Sequence, residues 1–169
     1  PIFNEGLMGK HVAIISETRW EYLVSYFAVV NGGGVIVPLD KELQPEQVKG
    51  FIKMGQAEAV ICSSSYKEML KSFRDTDPVN FTCKLICMDN TMDEENFLSL
   101  AALIENGRAL LDKGERTYAD CSINNEVMCT LLFTSGTTGT SKGVMLSHLN
   151  IATNAYNAGI GTDFNEGDR

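Results

Sequence analysis

Short apolar runs alternate with helix-patterned segments along the N-terminal half of the chain, and this alternation constrains the fold more than any other feature. His11–Ser16 (HVAIIS), Val35–Leu39 (VIVPL), Ala59–Cys62 (AVIC) and Lys84–Met88 (KLICM) are the runs. Each is short and apolar, as a buried strand requires, and Val35–Leu39 is rich in β-branched residues. Between the first two, Trp20, Leu23, Val24, Phe27 and Ala28 fall at i, i+3, i+4, i+7 and i+8, the spacing of one helix face. Core packing is therefore expected for Trp20. Thr18 and Glu21 have the T-x-x-E spacing of a capping box, and Asn31-Gly32-Gly33-Gly34 stops the helix. The second helix opens at Pro45, a residue tolerated at a first helical position, with Val48, Phe51, Ile52 and Gly55 inward. In the third, Ser65 and Glu68 suggest another capping box, and Tyr66, Met69, Leu70 and Phe73 face inward. Strands alternating with helices predict βαβ units in a mostly parallel sheet, with helices covering both faces: an α/β fold.

Further on, Asp89–Glu95 is acidic and is expected to be a loop, with Asp93-Glu94-Glu95 a solvated face. Phe97–Leu111 is patterned as a helix with a possible break at Asn106-Gly107. Lys113–Asn125 is polar and is expected to cross between two substructures, dividing the chain into a βαβ-type subdomain (1–112) and the start of a second (113–169). Val127–Thr134 is an apolar strand, Gly143–Leu146 a short strand, and Ser147 an expected N-cap for a helix over 148–159. The chain opens at Pro1 and stops at Arg169 with no closing element, so it is expected to be a fragment.

Composition narrows the function classes. The chain has 169 residues, 44% hydrophobic and 21% charged, as globular proteins do. Its formal net charge of −8 offers no basic excess for a nucleic-acid partner. No run of ~18 apolar residues suggests a membrane span, and no secretory signal is visible, so a cytoplasmic location is expected. Cys62, Cys83, Cys87, Cys121 and Cys129 form no CxxC pair. They are expected to be free thiols, and no metal site is expected among them.

The two apolar strands near the C-terminus enclose Thr134–Gly143, TSGTTGTSKG, which has three Gly, four Thr, two Ser and one Lys. Small residues let a backbone approach a ligand, and Gly permits the positive φ of an anion nest. Hydroxyls and one lysine add donors suited to phosphate. The pattern is not a Walker A loop, which needs G-x-x-x-x-G-K-[ST]: Ser141 stands at the second Gly, Gly143 follows Lys142, and a strand follows instead of a helix.

Phe133–Val144 resembles the signature [YF]-T-S-G-[ST]-T-G-x-P-K-G-V of the AMP-forming superfamily of acyl-CoA synthetases, adenylation domains and luciferases. It departs from it only at Ser141, where the family has Pro, which makes the loop less rigid. Gly33–Asp40 (GGVIVPLD), His11–Val30 and Met145–Ile151 (MLSHLNI) resemble other segments of the same family, so the likeness spans nearly all of residues 10–160. The S-H-x-N continuation and the first helix are most similar to long-chain fatty-acid–CoA ligases.

The resemblance implies part of the large N-terminal domain of a carboxylate-activating ligase. Such an enzyme makes an acyl-adenylate from ATP, releasing pyrophosphate, and then passes the acyl group to a thiol. It implies ATP, Mg²⁺ and coenzyme A as cofactors and co-substrates, with a fatty acid as the carboxylic acid partner. By motif position Thr134, Ser135, Gly136, Thr137, Thr138, Gly139 and Lys142 would hold the β- and γ-phosphates. The family's magnesium ligands, ribose-binding Asp and adenylation Lys lie downstream, so no catalytic residue is assigned in these 169 residues and the fragment alone is expected to be inactive. An amino-acid or aryl-acid adenylation domain is the alternative substrate class, and a non-catalytic nucleotide-binding module the alternative of another kind. His148 is expected to be a structural neighbour of the loop, His11 a surface residue and Asp40 a turn residue.

Overall fold

The computed structural model describes residues 6–134 and 141–161. The expected strands and helices are present: β1 (His11–Ile15), α1 (Trp20–Val30), β2 (Val35–Pro38), α2 (Pro45–Met54), β3 (Ala59–Cys62), a 3₁₀ turn (Ser64–Tyr66), α3 (Lys67–Thr76) and β4 (Lys84–Cys87). Then follow β5 (Leu98–Ser99), α4 (Leu100–Asp112), β6 (Met128–Thr134), β7 (Lys142–Ser147) and α5 (His148–Gly161). The strands form one seven-stranded sheet in the order β5-β4-β3-β1-β2-β6-β7. Every neighbouring pair is parallel except β6 and β7. β6 pairs with β2 through Ile36 and Thr130. The polar segment after residue 113 therefore leads back into the same sheet, and strands from both sides of that position share it.

Alternation along β1 shows how the sheet is covered. Ala13 and Ile15 join Val48, Phe51, Ile52, Leu70 and Phe73 from α2 and α3 on one face. Val12 and Ile14 join Val29 and Val30 of α1 and Leu100 and Leu103 of α4 on the other. A central strand with both faces covered must be apolar at every position, and β1 carries no buried charge.

Several boundaries differ from the sequence expectation, each for a local reason. The capping box at Thr18 does not form. Arg19 is the N-cap, without a side-chain cap bond, and its guanidinium instead takes both oxygens of Glu21 at 2.7 Å. Ser65 does not cap α3 either, because the chain enters that helix through the 3₁₀ turn. The capping box that does form is Gln44–Gln47 at α2. Helix α4 runs through Asn106-Gly107 without a break, with Gly107 buried. Two residues before it are a short strand, and Ser99 caps it by accepting from the amide of Ala102 at 3.1 Å.

Trp20 is the largest correction. It is 61% exposed, and Leu23, Val24 and Phe27 beside it are also exposed. The sheet takes instead Ser25, Val29 and Val30, with Tyr22 and Tyr26 half-buried. The helix has two apolar faces, and the i, i+3, i+4 spacing identifies the outer one. Gly34, by contrast, behaves as expected of a close approach: a Cβ there would stand 2.9 Å from the Lys10 carbonyl and 3.0 Å from Val29.

Candidate functional site

Strands β6 and β7 form the antiparallel pair that frames the Gly/Thr/Ser loop. Their register pairs Thr134 with Lys142, Phe133 with Gly143, Leu132 with Val144 and Leu131 with Met145. Residues directly opposite in such a ladder project to the same face of the sheet. Two environments result from this. Phe133 lies on the face of the α2 cluster, where its ring stacks on Phe51 with centroids 4.4 Å apart and planes 6° apart. Thr134 and Lys142 project from the opposite face, and both are exposed.

Gly143 completes the base of the loop. A Cβ at Gly143 would lie 3.1 Å from Leu131 Cδ1 and 3.5 Å from Phe133 Cε1. The aromatic residue and the last glycine of the motif are thus two halves of one packing unit, which holds both ends of the loop on the sheet. One residue along, Thr134 and Lys142 are register partners at the strand ends, both exposed. Ser135, Gly136, Thr137, Thr138 and Gly139 lie outside the described residues.

Strand β6 is itself anchored. The hydroxyls of Tyr26 in α1 and Thr130 are 2.7 Å apart, and the ladder has a register shift between Met128 and Thr130. That irregularity lets Cys129 and Thr130 both serve the α1 side. At the far end of β7, Ser147 and Asn150 cap α5 reciprocally. The Asn150 amide donates to Ser147 Oγ at 3.2 Å, and the Ser147 amide donates to Asn150 Oδ1 at 3.0 Å. Ser147 is the N-cap expected from sequence. Asn150 is a functional partner that the sequence reading misses, although the S-H-x-N pattern contains it at the right spacing. His148, between them, is half-buried at the first position of the helix.

A second polar cluster sits beyond the C-terminal ends of β1, β3 and β4. The sheet order places β1 between β3 and β2, so the chain reverses its direction of winding there, where open parallel sheets form a crevice. Arg19 bridges Glu21 and Asp89, reaching Asp89 Oδ1 at 2.6 Å, and the Ser64 amide donates to Asp89 Oδ2 at 2.6 Å. Burial pushes Asp89 upward, but the Ser64 amide and the Arg19 guanidinium outweigh it and hold the carboxyl below its usual range. Hydrogen bonding from Arg19 lowers Glu21. Each of the three Arg19 guanidinium nitrogens donates to a carboxylate, so the cluster is a clamp between strand ends.

Other candidate residues have simple duties. Asp40 Oδ1 accepts from the Glu42 amide at 2.9 Å, the turn role expected of it. His11 is half-buried, with Nδ1 2.7 Å from the Gly55 carbonyl. The acidic run is more than a solvated face: Asp93 accepts from the Ser99 amide at 2.7 Å and Glu94 pairs with Lys67 at 2.6 Å. The five cysteines are free thiols, and Cys121 is the least buried. Cys62 and Cys87 are register partners on β3 and β4, and hydrogen bonding from Cys62 lowers Cys87 to about 6. Among the described residues no group of three or more His, Cys, Asp or Glu is placed to hold a metal, and no helix is long and apolar enough to cross a membrane.

Comparisons with known proteins agree with this architecture. The 4-hydroxybutyrate–CoA ligase 2 of Metallosphaera sedula is 30% identical over 148 residues, covering 85% of this chain and 26% of that protein. Nonribosomal peptide synthetase 7 of Gibberella zeae is 26% identical over 168 residues, covering 98% of this chain and 3% of that protein. The crystal structure of ATP-bound MatB from Rhodopseudomonas palustris superposes with a TM-score of 0.64 at 27% identity, over 94% of this chain and 29% of that one. The chain therefore spans less than a third of the length of each. The sequence model of the AMP-binding enzyme family matches residues 6–169, and the chain belongs to the AMP-binding enzyme family.

Proposed function

We propose that the chain is the phosphate-binding portion of an ATP-dependent acid–thiol ligase, and that Thr134, Ser135, Gly136, Thr137, Thr138, Gly139 and Lys142 hold the β- and γ-phosphates of ATP. The observation that carries this reading is the register of Thr134 with Lys142 at the loop mouth. It puts a hydroxyl donor and an ammonium on one face, with the loop strung between them. Both groups are exposed. The ion pairs among the described residues do not include Lys142. Charge accumulates on the departing pyrophosphate as a carboxylate attacks the α-phosphate. Donors fixed in advance around that charge lower the barrier. This chain's contribution is to bind and orient the triphosphate. Mg²⁺, when bound, neutralises phosphate charge, and coenzyme A is the acyl acceptor of the second half-reaction.

The substrate we favour is a fatty acid, on the S-H-x-N continuation and the character of the first helix. The relatives leave room for others: a hydroxyacid–CoA ligase and a peptide synthetase match over similar lengths. Residues 113–169 are proposed to begin a second subdomain of the parent enzyme. The test is ATP–pyrophosphate exchange by the parent ligase across fatty, aryl and amino acids, followed by thioester formation with coenzyme A or a carrier protein. Exchange stimulated by fatty acids and acyl transfer to coenzyme A is the expected result. Lys142→Ala should reduce exchange by roughly 10²–10³-fold, the effect of removing one preorganised charge-stabilising donor. A parent protein that binds ATP without exchange with any acid is a nucleotide-binding module instead, and the ligase reading falls. The 169-residue chain by itself should show no exchange.

A further inference from the structure

The parallel ladder of β3 and β4 sets Cys62 opposite Cys87 at the C-terminal ends of both strands. Both side chains lie on the face of the α2 cluster, and both residues are buried there. Neither belongs to the phosphate loop. Neighbouring strands lie about 4.8 Å apart, so the two α-carbons fall inside the ~4.4–6.8 Å that a disulfide spans. Register partners point the same way, which leaves their β-carbons at about the same spacing. A relaxed disulfide has its β-carbons ~3.5–4.5 Å apart. A bond between these two therefore needs a small inward movement of one strand, and a bond formed in that way is more easily reduced than a structural one.

The two sulfurs are not equivalent. Hydrogen bonding from Cys62 lowers Cys87 to about 6 against the opposing effect of burial, and the amides of Asp89 and Asn90 and the Lys67 ammonium add to it. Cys62 is pushed up, first by that same hydrogen bond and then by burial. One member is thus a nucleophile and the other a thiol that can resolve what the first one forms. Cys87 is also close to an edge of the sheet. Its other register partner is Ser99, on the two-residue edge strand β5. So short an edge shields β4 with few ladder bonds, and local opening there admits a molecule as small as hydrogen peroxide.

We propose that Cys62 and Cys87 form a peroxide-sensitive dithiol, with Cys87 the reacting cysteine and Cys62 the resolving one, and that oxidation staples β3 to β4. The Cys87 thiolate attacks one oxygen of hydrogen peroxide. An S–O bond forms, the O–O bond breaks, and hydroxide leaves and takes up the proton that Cys87 released. The Cys62 sulfur then attacks the sulfenic acid. An S–S bond forms, the S–O bond breaks, and the hydroxyl leaves with the Cys62 proton as water. In sum two thiols give up two electrons and two protons, and one peroxide becomes two waters. The pair needs no nucleotide and no turnover, so its test stands apart from the ligase assays.

The experiment is a hydrogen peroxide titration of the folded, reduced intact protein, followed by alkylation of the remaining thiols in denaturant and peptide mass spectrometry. The expected product is a peptide pair joined through Cys62 and Cys87, lost on adding dithiothreitol. Cys87 should be consumed at least ~10-fold faster than Cys83, which burial pushes up and whose Sγ donates to the Ala57 carbonyl at 3.0 Å. In Cys62→Ser the joined pair cannot form, and dimedone should trap a sulfenic acid at Cys87. In Cys87→Ser, Cys62 should stay a free thiol at the same dose. Circular dichroism shows whether each variant is folded, and the map of the unsubstituted protein decides alone where one is not. Cys62 and Cys87 surviving as free thiols at doses that oxidise Cys83 or Cys121 overturns the proposal. A Cys62–Cys87 bond that appears only in denaturant overturns it too, since such a pairing owes nothing to the sheet. Sulfenic acid trapped at Cys62 in Cys87→Ser, with none at Cys87 in Cys62→Ser, reverses the roles and has the same consequence.

Discussion

At the scale of single residues, the motif separates into positions proposed to hold phosphate and positions that pack. Gly143 belongs to the second kind. Gly143→Ala would force a methyl to within 3.1 Å of Leu131 and 3.5 Å of the Phe133 ring. The expected cost is at the low end of the about 1–3 kcal/mol of core overpacking, since the Leu131 methyl has to give by only a few tenths of an ångström at this exposed position, read as a lower thermal midpoint. Gly50, in α2, is the matched control, because a Cβ added there would meet nothing within 4 Å. Gly50→Ala should raise stability by roughly 0.5–1 kcal/mol, since alanine is the better helix former. The Arg19 clamp makes a pH prediction. Asp89 and Glu21 both titrate below their ordinary values in the folded chain. Their contribution is therefore complete above the unfolded carboxylate range of about 4 and is lost as pH falls through the depressed folded values. Arg19→Ala should flatten the acid limb of a stability-against-pH curve. Its loss at neutral pH should be about 1 kcal/mol, since the pairs are partly solvated.

At the scale of elements, the helix ends are the hardest to foresee. Thr18-x-x-Glu21 and Ser65-x-x-Glu68 have the capping spacing, yet Glu21 is drawn to Arg19 and α3 is entered through a 3₁₀ turn. Ser and Glu at that spacing are common on any polar surface, and a nearby guanidinium wins the carboxylate. Ser147 is legible because a strand ends there and a helix must begin. Its cap predicts that Ser147→Ala costs about 1 kcal/mol and frays α5. Amide exchange at the first turn of α5 should quicken, with β1–β4 unchanged. The strands are the most legible elements, because β-branched runs buried on both faces have no alternative use. The outer stripe of α1 misleads for a related reason: periodicity reports that a face is apolar, and only packing decides which of two apolar faces meets the sheet.

At the scale of the whole molecule, the α/β class and the loop's setting between strands follow from the sequence, and the winding of the sheet does not. Pattern alone gives no strand order, and the polar stretch after Lys113 conceals the return of β6 to the side of β2. The exposed residues of the loop mouth can be named from the motif. The Phe51–Phe133 stack and the Tyr26–Thr130 bond cannot, since each joins residues far apart in sequence.

That return has a consequence for how the chain assembles. Strands β1 to β4 are laid down by successive neighbours, each closing a modest length of backbone. Thr130 must find Ile36 across 130 − 36 = 94 positions, a closure whose entropy is met only after the earlier units stand. The strand that leads into the Gly/Thr/Ser loop thus closes the longest stretch of chain in the sheet, and its hold depends on an edge already built. During synthesis the β6–β7 hairpin gains its platform late, so substitutions in α1 or β2 that weaken the docking edge should slow the docking of β6 more than they slow collapse of the N-terminal units.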